Sequence, residues 1–206
     1  MTLSLGVLVS GSGSNLQSVL DACSDGRLDA AVRVVVSNKP GVFALERAAK
    51  SAVEAITLSH KAFASREAYD GALVEALRAR GVDTVVLAGF MRIVTPVLLD
   101  AFRGRVINIH PALLPAFPGV DGQRQALEYG AKVAGCTVHF VDAGTDTGPI
   151  ITQRAVPVLE DDTVETLRAR ILVEEHKALP AALQWLAEGR LVVEGRRVRV
   201  LDAPSR

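Results

Sequence analysis

Cysteine is scarce: Cys23 and Cys136 are the only two in 206 residues, too few for a disulfide framework. Both fall in apolar patterns, Cys23 on the inner face of an expected helix and Cys136 in a strand-like run. They are expected as buried thiols of an intracellular protein. Aromatic residues make up 4% of the chain, and Val, Leu and Ala carry the apolar bulk. That disfavours an all-β sandwich and suits a buried parallel sheet covered by helices. Net charge is also absent, 23 basic residues balancing 23 acidic ones with no long block of either sign. The chain thus offers no broad basic face to a nucleic acid or a membrane. No apolar run reaches the ~18 residues of a membrane span. The first nine residues lack a basic n-region and a cleavage site and read as a strand, so a cytoplasmic location is expected. No His/Cys/Asp/Glu cluster has zinc-site spacing, and no Gly-x-Ser-x-Gly elbow occurs, so neither a metal nor a serine nucleophile is expected.

What is present is alternation. A strand at residues 3–9 is followed by Ser10-Gly-Ser-Gly-Ser-Asn15, and Leu16, Val19, Leu20 and Cys23 then recur at helical spacing, with Ser14 or Asn15 as the expected cap. Strands at 32–37, 55–58 and 82–88 and helices at 43–52 and 65–80 continue the pattern; Tyr69, Ala72, Leu73, Ala76 and Leu77 form the stripe of the second helix. After a short helix from Pro96 come a helix at 123–129 and strands at 133–141 and 150–158. A long helix opens at an Asp162-Thr-Val-Glu165 capping box and is expected to break or kink at Pro180; a hairpin around Gly195 closes the chain. The pattern predicts an α/β fold with a doubly wound, mainly parallel sheet, Rossmann-like in its N-terminal half. With no repeat or long linker, residues 1–206 are expected to form one domain.

The chain is organised around Val106-Ile-Asn-Ile-His-Pro-Ala-Leu-Leu-Pro-Ala-Phe-Pro-Gly119. Asn108 and His110 stand two apart, on one face of a strand that Pro111 ends. Either alone is readily a satisfied core group; together at a strand end they point to a site. Doubly wound sheets bind ligands at the carboxyl ends of strands. The Ser/Gly loop, the 89–94 loop and this pair all follow strands, so they are expected to converge. Gly11-Ser-Gly-Ser-Asn15 suits a phosphate held at a helix N-terminus, or else a tight turn. Leu16 replaces the third dinucleotide glycine and no Gly-Lys-Ser/Thr follows, which favours a phosphate monoester over NAD or ATP. Asp146 is either a turn aspartate or a carboxylate that fixes an imidazole. His139 lies on a strand whose alternation leaves its face open, and Glu174, Glu175 and His176 read mainly as a polar helix face. An Asn, a His and an Asp without a nucleophile suggest direct transfer between two bound substrates.

Four segments carry a family resemblance: Ser10-Gly-Ser-Gly-Ser-Asn-Leu16, Val86-Leu-Ala-Gly-Phe-Met-Arg-Ile93, Asn108-Ile-His-Pro-Ala-Leu-Leu-Pro115 and Asp142-Ala-Gly-Thr-Asp-Thr-Gly-Pro149. In this order they resemble the phosphoribosylglycinamide formyltransferases, the folate-dependent transformylases of de novo purine synthesis. The resemblance implies formyl transfer from 10-formyltetrahydrofolate, as co-substrate, to the amine of glycinamide ribonucleotide through a tetrahedral intermediate. Asn108 and His110 match the residues that stabilise the oxyanion, with His110 also the proton donor. Asp146 matches the aspartate that makes that histidine more basic and helps order water; His139 matches a supporting histidine. Gly13, Ser14 and Asn15, with Leu172, Val173, Glu174 and Glu175, match ribonucleotide-binding positions. Arg66, Met91, Arg92, Ile93, Val94, Asn108, Asp142, Ala143, Gly144, Thr145 and Asp146 match folate-binding positions. Residues from 1 to about 100 would then be the phosphate-binding half and those from about 101 to 206 the folate and catalytic half. The partners implied are these two small molecules, with no nucleic acid or membrane, for a monomer or homodimer.

One departure stands out. Many relatives carry histidines shortly after Phe-Pro-Gly, where this chain has Val120-Asp-Gly-Gln-Arg124. Three other functions share parts of the pattern. A 10-formyltetrahydrofolate hydrolase is expected to carry an N-terminal regulatory domain, whereas the phosphate loop here begins at residue 10. A methionyl-tRNA formyltransferase needs a further C-terminal domain and a basic surface. A non-catalytic folate or phosphosugar sensor has little use for a proton donor.

Overall fold

Uninterrupted aliphatic runs set the centre of the first of two compact units, which divide between Asn108 and Ile109. The computed structural model describes residues 2–203. In chain order the first unit holds β1 (Leu3–Val9), α1 (Ser14–Ser24), β2 (Ala30–Ser37), α2 (Phe43–Lys50) and β3 (Ala55–Thr57). A 3-10 turn (His60–Ala62), α3 (Arg66–Arg78), β4 (Thr84–Leu87), α4 (Pro96–Ala101) and most of β5 (Val106–His110) complete it. The strands lie in the order β3-β2-β1-β4-β5, and every pairing is parallel. Right-handed crossovers send α1 and α2 to one face and α3 and α4 to the other, and the helices touch in those pairs. This is the expected doubly wound α/β arrangement, and it explains why β4 is buried throughout.

Helix α3 is rotated from its expected stripe. It buries Tyr69, Asp70, Leu73, Val74 and Leu77, leaving Ala72 and Ala76 half-buried. The larger side chains fill the space over β1, where Gly6 makes room: a Cβ there would overlap Leu77. The turn also carries a carboxylate, Asp70, into the interior.

The second unit contains α5 (Gly122–Tyr129), β6 (Val133–Phe140), β7 (Ile150–Pro157), α6 (Val164–Ala187), β8 (Leu191–Glu194) and β9 (Arg197–Val200). Its strands run β6-β7-β9-β8, antiparallel at β6/β7 and β8/β9 and parallel at β7/β9. Helix α6 packs across β6 and β7 through Leu167, Ile171, Ala178, Leu179, Ala182 and Leu183. It runs through Pro180 without interruption, so of the expected break or kink the break does not occur. Proline inside a helix costs about 3 kcal/mol, and the fully buried Leu179, Ala182 and Leu183 around it offset that loss. The capping box also differs. Thr163 is the N-cap and exchanges bonds with Thr166 (2.9 and 3.2 Å), while Asp162 takes a bidentate contact from Arg170 (2.6 and 2.8 Å). No described helix is long and apolar enough to cross a membrane.

Candidate active site

In the first unit the site begins where β1 ends. Gly13 is the N-cap of α1 in a left-handed conformation (φ 71°), with no side-chain cap. The expected cap at Ser14 or Asn15 is therefore not formed; both residues already lie within the helix. A cap acceptor supplied by a ligand fits an uncapped N-terminus with its positive dipole end. Helix α2 holds the loop in place. The Ala44 N–H donates to the Gly11 carbonyl (3.2 Å), and Arg47 donates to the Ser12 carbonyl (2.9 Å) and to Gln17 (3.1 Å). A Cβ on Gly13 would stand 2.6 Å from that of Ala44, so only glycine fits. Ser10 to Asn15, with Ala88, Gly89 and Met91, line a cavity of about 230 Å³.

The segment after β4 forms a strap. Phe90 and Val94 are buried, whereas the Met91 and Ile93 side chains are 66% and 52% exposed, leaving two apolar groups to meet a ligand. The Arg92 guanidinium lies 5.7 Å from the Tyr69 ring centre. At the far end Asp70 accepts from the Thr95 N–H (2.5 Å) and hydroxyl (2.8 Å). Burial pushes the Asp70 carboxyl up, above the ordinary range, against the Thr95 bonds and the Arg92 charge. Arg66, by contrast, is exposed at the first turn of α3.

In the second unit Asp146 gathers two histidines. Its carboxylate stands 3.3 Å from His110 Nδ1 and 3.7 Å from His139 Nε2, and accepts the Gly119 N–H at 2.8 Å. Both histidines are buried, and His139 faces the carboxylate, which resolves the face left open by alternation. His110 Nε2 meets the Phe117 carbonyl at 2.8 Å and His139 Nδ1 its neighbour's, Phe140, at 2.8 Å. A carbonyl only accepts, so His110 Nε2 carries hydrogen. Nδ1 then faces the Asp146 carboxylate. Burial raises the Asp146 carboxyl, but His139, the Gly119 N–H and the charges of the two imidazoles outweigh it, holding the acid below the ordinary aspartate range. Asp146 itself is left-handed (φ 54°), in a loop that Asp142 organises by accepting from the Gly144 N–H (3.1 Å) and the Thr147 hydroxyl (2.6 Å).

Asn108 is half-buried on β5, two residues before His110 and in register with Leu87. On α6, Leu172 and Glu174 are half-buried and Val173 is exposed. Glu175 is 5% exposed within the apolar stripe, not on a polar outer face as its neighbours suggested. Cys136 is buried, while Cys23 is only half-buried because Ala22 takes the inner position; both thiols are free. The loop 111–121 contains a cis Leu114–Pro115 bond, and Gln125 holds the atypical segment by donating to the Pro118 (3.2 Å) and Val120 (2.8 Å) carbonyls. Three contributors lay outside the expected residues. The backbones of Phe117 and Gly119 carry no signal in side-chain identity, and Asp70 was visible as an acid at the spacing of Leu73 and Leu77.

The formyl transferase family model matches residues 4–183. The chain is similar to phosphoribosylglycinamide formyltransferase of Escherichia coli (strain K12), 46% identical over 185 residues that cover 90% of this chain and 87% of that protein. It is 51% identical over 189 residues to the trifunctional purine biosynthetic protein adenosine-3 of Drosophila melanogaster; these cover 91% of this chain but 14% of that protein's length. Among solved structures it resembles glycinamide ribonucleotide transformylase 1 from Symbiobacterium toebii, with a TM-score of 0.97 and 59% identity over 98% of this chain and 95% of that one.

Proposed function

The chain belongs to the formyl transferase family, and we propose that it transfers the formyl group of 10-formyltetrahydrofolate to the amine of glycinamide ribonucleotide. The amine nitrogen attacks the formyl carbon and the carbonyl oxygen becomes an oxyanion. The bond from that carbon to the folate nitrogen then breaks, and the leaving nitrogen takes a proton from His110. The attacking nitrogen gives up one of its own, which returns His110 to its starting state. The products are formylglycinamide ribonucleotide and tetrahydrofolate, in purine biosynthesis. The observation that carries this function is the Asp146 carboxylate set between His110 and His139, an acid–base group.

Asn108 donates its amide to the oxyanion, and His110 stabilises the same charge and supplies the proton. Asp146 keeps that proton on the ring, and His139 supports the carboxylate. Gly13, Ser14 and Asn15 receive the phosphate at the uncapped N-terminus of α1. Leu172, Val173, Glu174 and Glu175 serve the rest of the ribonucleotide, where the buried Glu175 carboxylate suits a hydroxyl or an amine. The folate takes Arg66, the strap Met91, Arg92, Ile93 and Val94, the Asn108 side chain, and the loop Asp142, Ala143, Gly144, Thr145 and Asp146. Residues 1–206 act as one formyltransferase domain; a family match that runs through both units supports this. The protein works in the cytoplasm as a monomer or homodimer and needs no metal.

With 10-formyltetrahydrofolate supplied, folate absorbance is expected to change only when glycinamide ribonucleotide is added. Equal turnover without the ribonucleotide would identify a hydrolase instead, and binding of both ligands without turnover would identify a sensor. Inorganic phosphate is expected to compete with the ribonucleotide, raising its KM with no change in kcat. Purely non-competitive inhibition would remove Gly13 to Asn15 from the phosphate site.

A further inference from the structure

One buried hydroxyl joins the two loops of the first unit. Ser10, the first residue after β1, donates its O–H to Asn38 Oδ1 (2.6 Å) and accepts the Met91 N–H (2.9 Å). Asn38 follows the end of β2 and turns its amide nitrogen to His60 Nδ1, 3.4 Å away. With its nitrogen on that side, where a His60 ring carrying its hydrogen on Nε2 accepts it, the Asn38 amide presents its oxygen to Ser10. Ser10 and Asn38 are 6% and 3% exposed, which leaves little access for water to replace either partner. A serine hydroxyl has one hydrogen. With that hydrogen committed to Asn38, a lone pair is left aimed at Met91. Without Asn38 the hydroxyl turns to another acceptor and the Met91 amide loses its partner.

Met91 opens the strap that Asp70 pins at Thr95, so the strap is held at both ends. The Ser10 end differs in kind, because Ser10 also lines the cavity of the Ser/Gly loop. We infer that Asn38 is a positioning residue: through Ser10 it sets the strap at Met91 against the anion loop, tying the geometry of the folate contact to that of the phosphate cradle. This role rests on the strap being a folate site, as proposed above, whereas the anchor itself can be read without any substrate.

The test uses the full chain with Asn38→Leu, which removes the acceptor, and Asn38→Asp, which keeps it. In Asn38→Leu the folate KM is expected to rise about 5- to 10-fold, the loss of one buried hydrogen bond. Its kcat at saturating folate should stay within about 2-fold. Hydrogen exchange at the Met91 amide should accelerate about 10-fold, while the Thr95 amide, held by Asp70, should not change. Asn38→Asp should restore both the KM and the Met91 protection. If Asn38→Leu does not fold, Ser10→Ala, which removes a single oxygen, should expose the same Met91 amide to exchange. Unchanged Met91 exchange in the folded variant overturns the inference. So does a uniform fall in kcat and rise in both KM values that Asn38→Asp does not relieve. If the wild type transfers no formyl group the proposed function fails, and Met91 exchange still decides the anchor.

Discussion

His110→Ala is expected to lower kcat by about 10²- to 10⁴-fold, the usual contribution of a positioned acid or base. The ring is buried at the end of β5, with one nitrogen on the Phe117 carbonyl and the other on Asp146. Alanine removes the proposed proton donor and one proposed stabiliser of the oxyanion together. Ribonucleotide affinity, measured by calorimetry, should change by less than about 3-fold, because the lost interaction forms only as charge develops. A kcat close to that of the wild type would take His110 out of the mechanism. An equal loss in affinity would make it a binding residue.

Asp146→Asn is expected to lower kcat on the order of 10²-fold, again within the range for proton transfer. Asparagine keeps an oxygen for the Gly119 N–H but places a neutral amide between the two imidazoles. The carboxylate beside His110 is gone, so the pH–rate profile of any residual activity should move. An active variant with an unmoved profile would separate Asp146 from the histidine. Stability supplies a second readout. The folded Asp146 carboxyl is held below its ordinary value, so it stabilises the fold above the unfolded aspartate pKa of about 3.9. That contribution is lost as pH falls from there through the lower folded value. The wild type's advantage over Asp146→Asn in urea melts should therefore shrink below pH of about 4. An advantage that grew with acid would contradict the charge arrangement.

Chemistry carried by neighbouring residues was legible in the sequence, and chemistry assembled at a distance was not. The Ser/Gly loop and the Asn108/His110 pair each declare themselves within a few positions, because strand alternation and glycine content are local properties. Asn38 stands before Lys-Pro-Gly and reads as a turn residue; only the fold brings Ser10 and Met91 to it. Glu175 looked like surface because Glu174 and His176 flank it, yet Ile171, Ala178 and Leu179 place it on the buried stripe of α6. Local rules failed where packing outweighed them. Pro180 sits within a continuous helix, and Gly13 displaces Ser14 as the N-cap because the approach to Ala44 demands glycine.

That approach has a thermodynamic consequence. Ordering a flexible segment around a ligand costs about 0.5–1.5 kcal/mol for each rotamer-rich group immobilised, an entropy charged against affinity. Between Gly11 and Gly13 the backbone is tied to α2 through Ala44 and Arg47, by contacts internal to the fold. The disorder was surrendered when the chain folded. Small as the loop is, its backbone is held by the fold, and an anion of the kind proposed for it would bind without drawing a loose loop around itself.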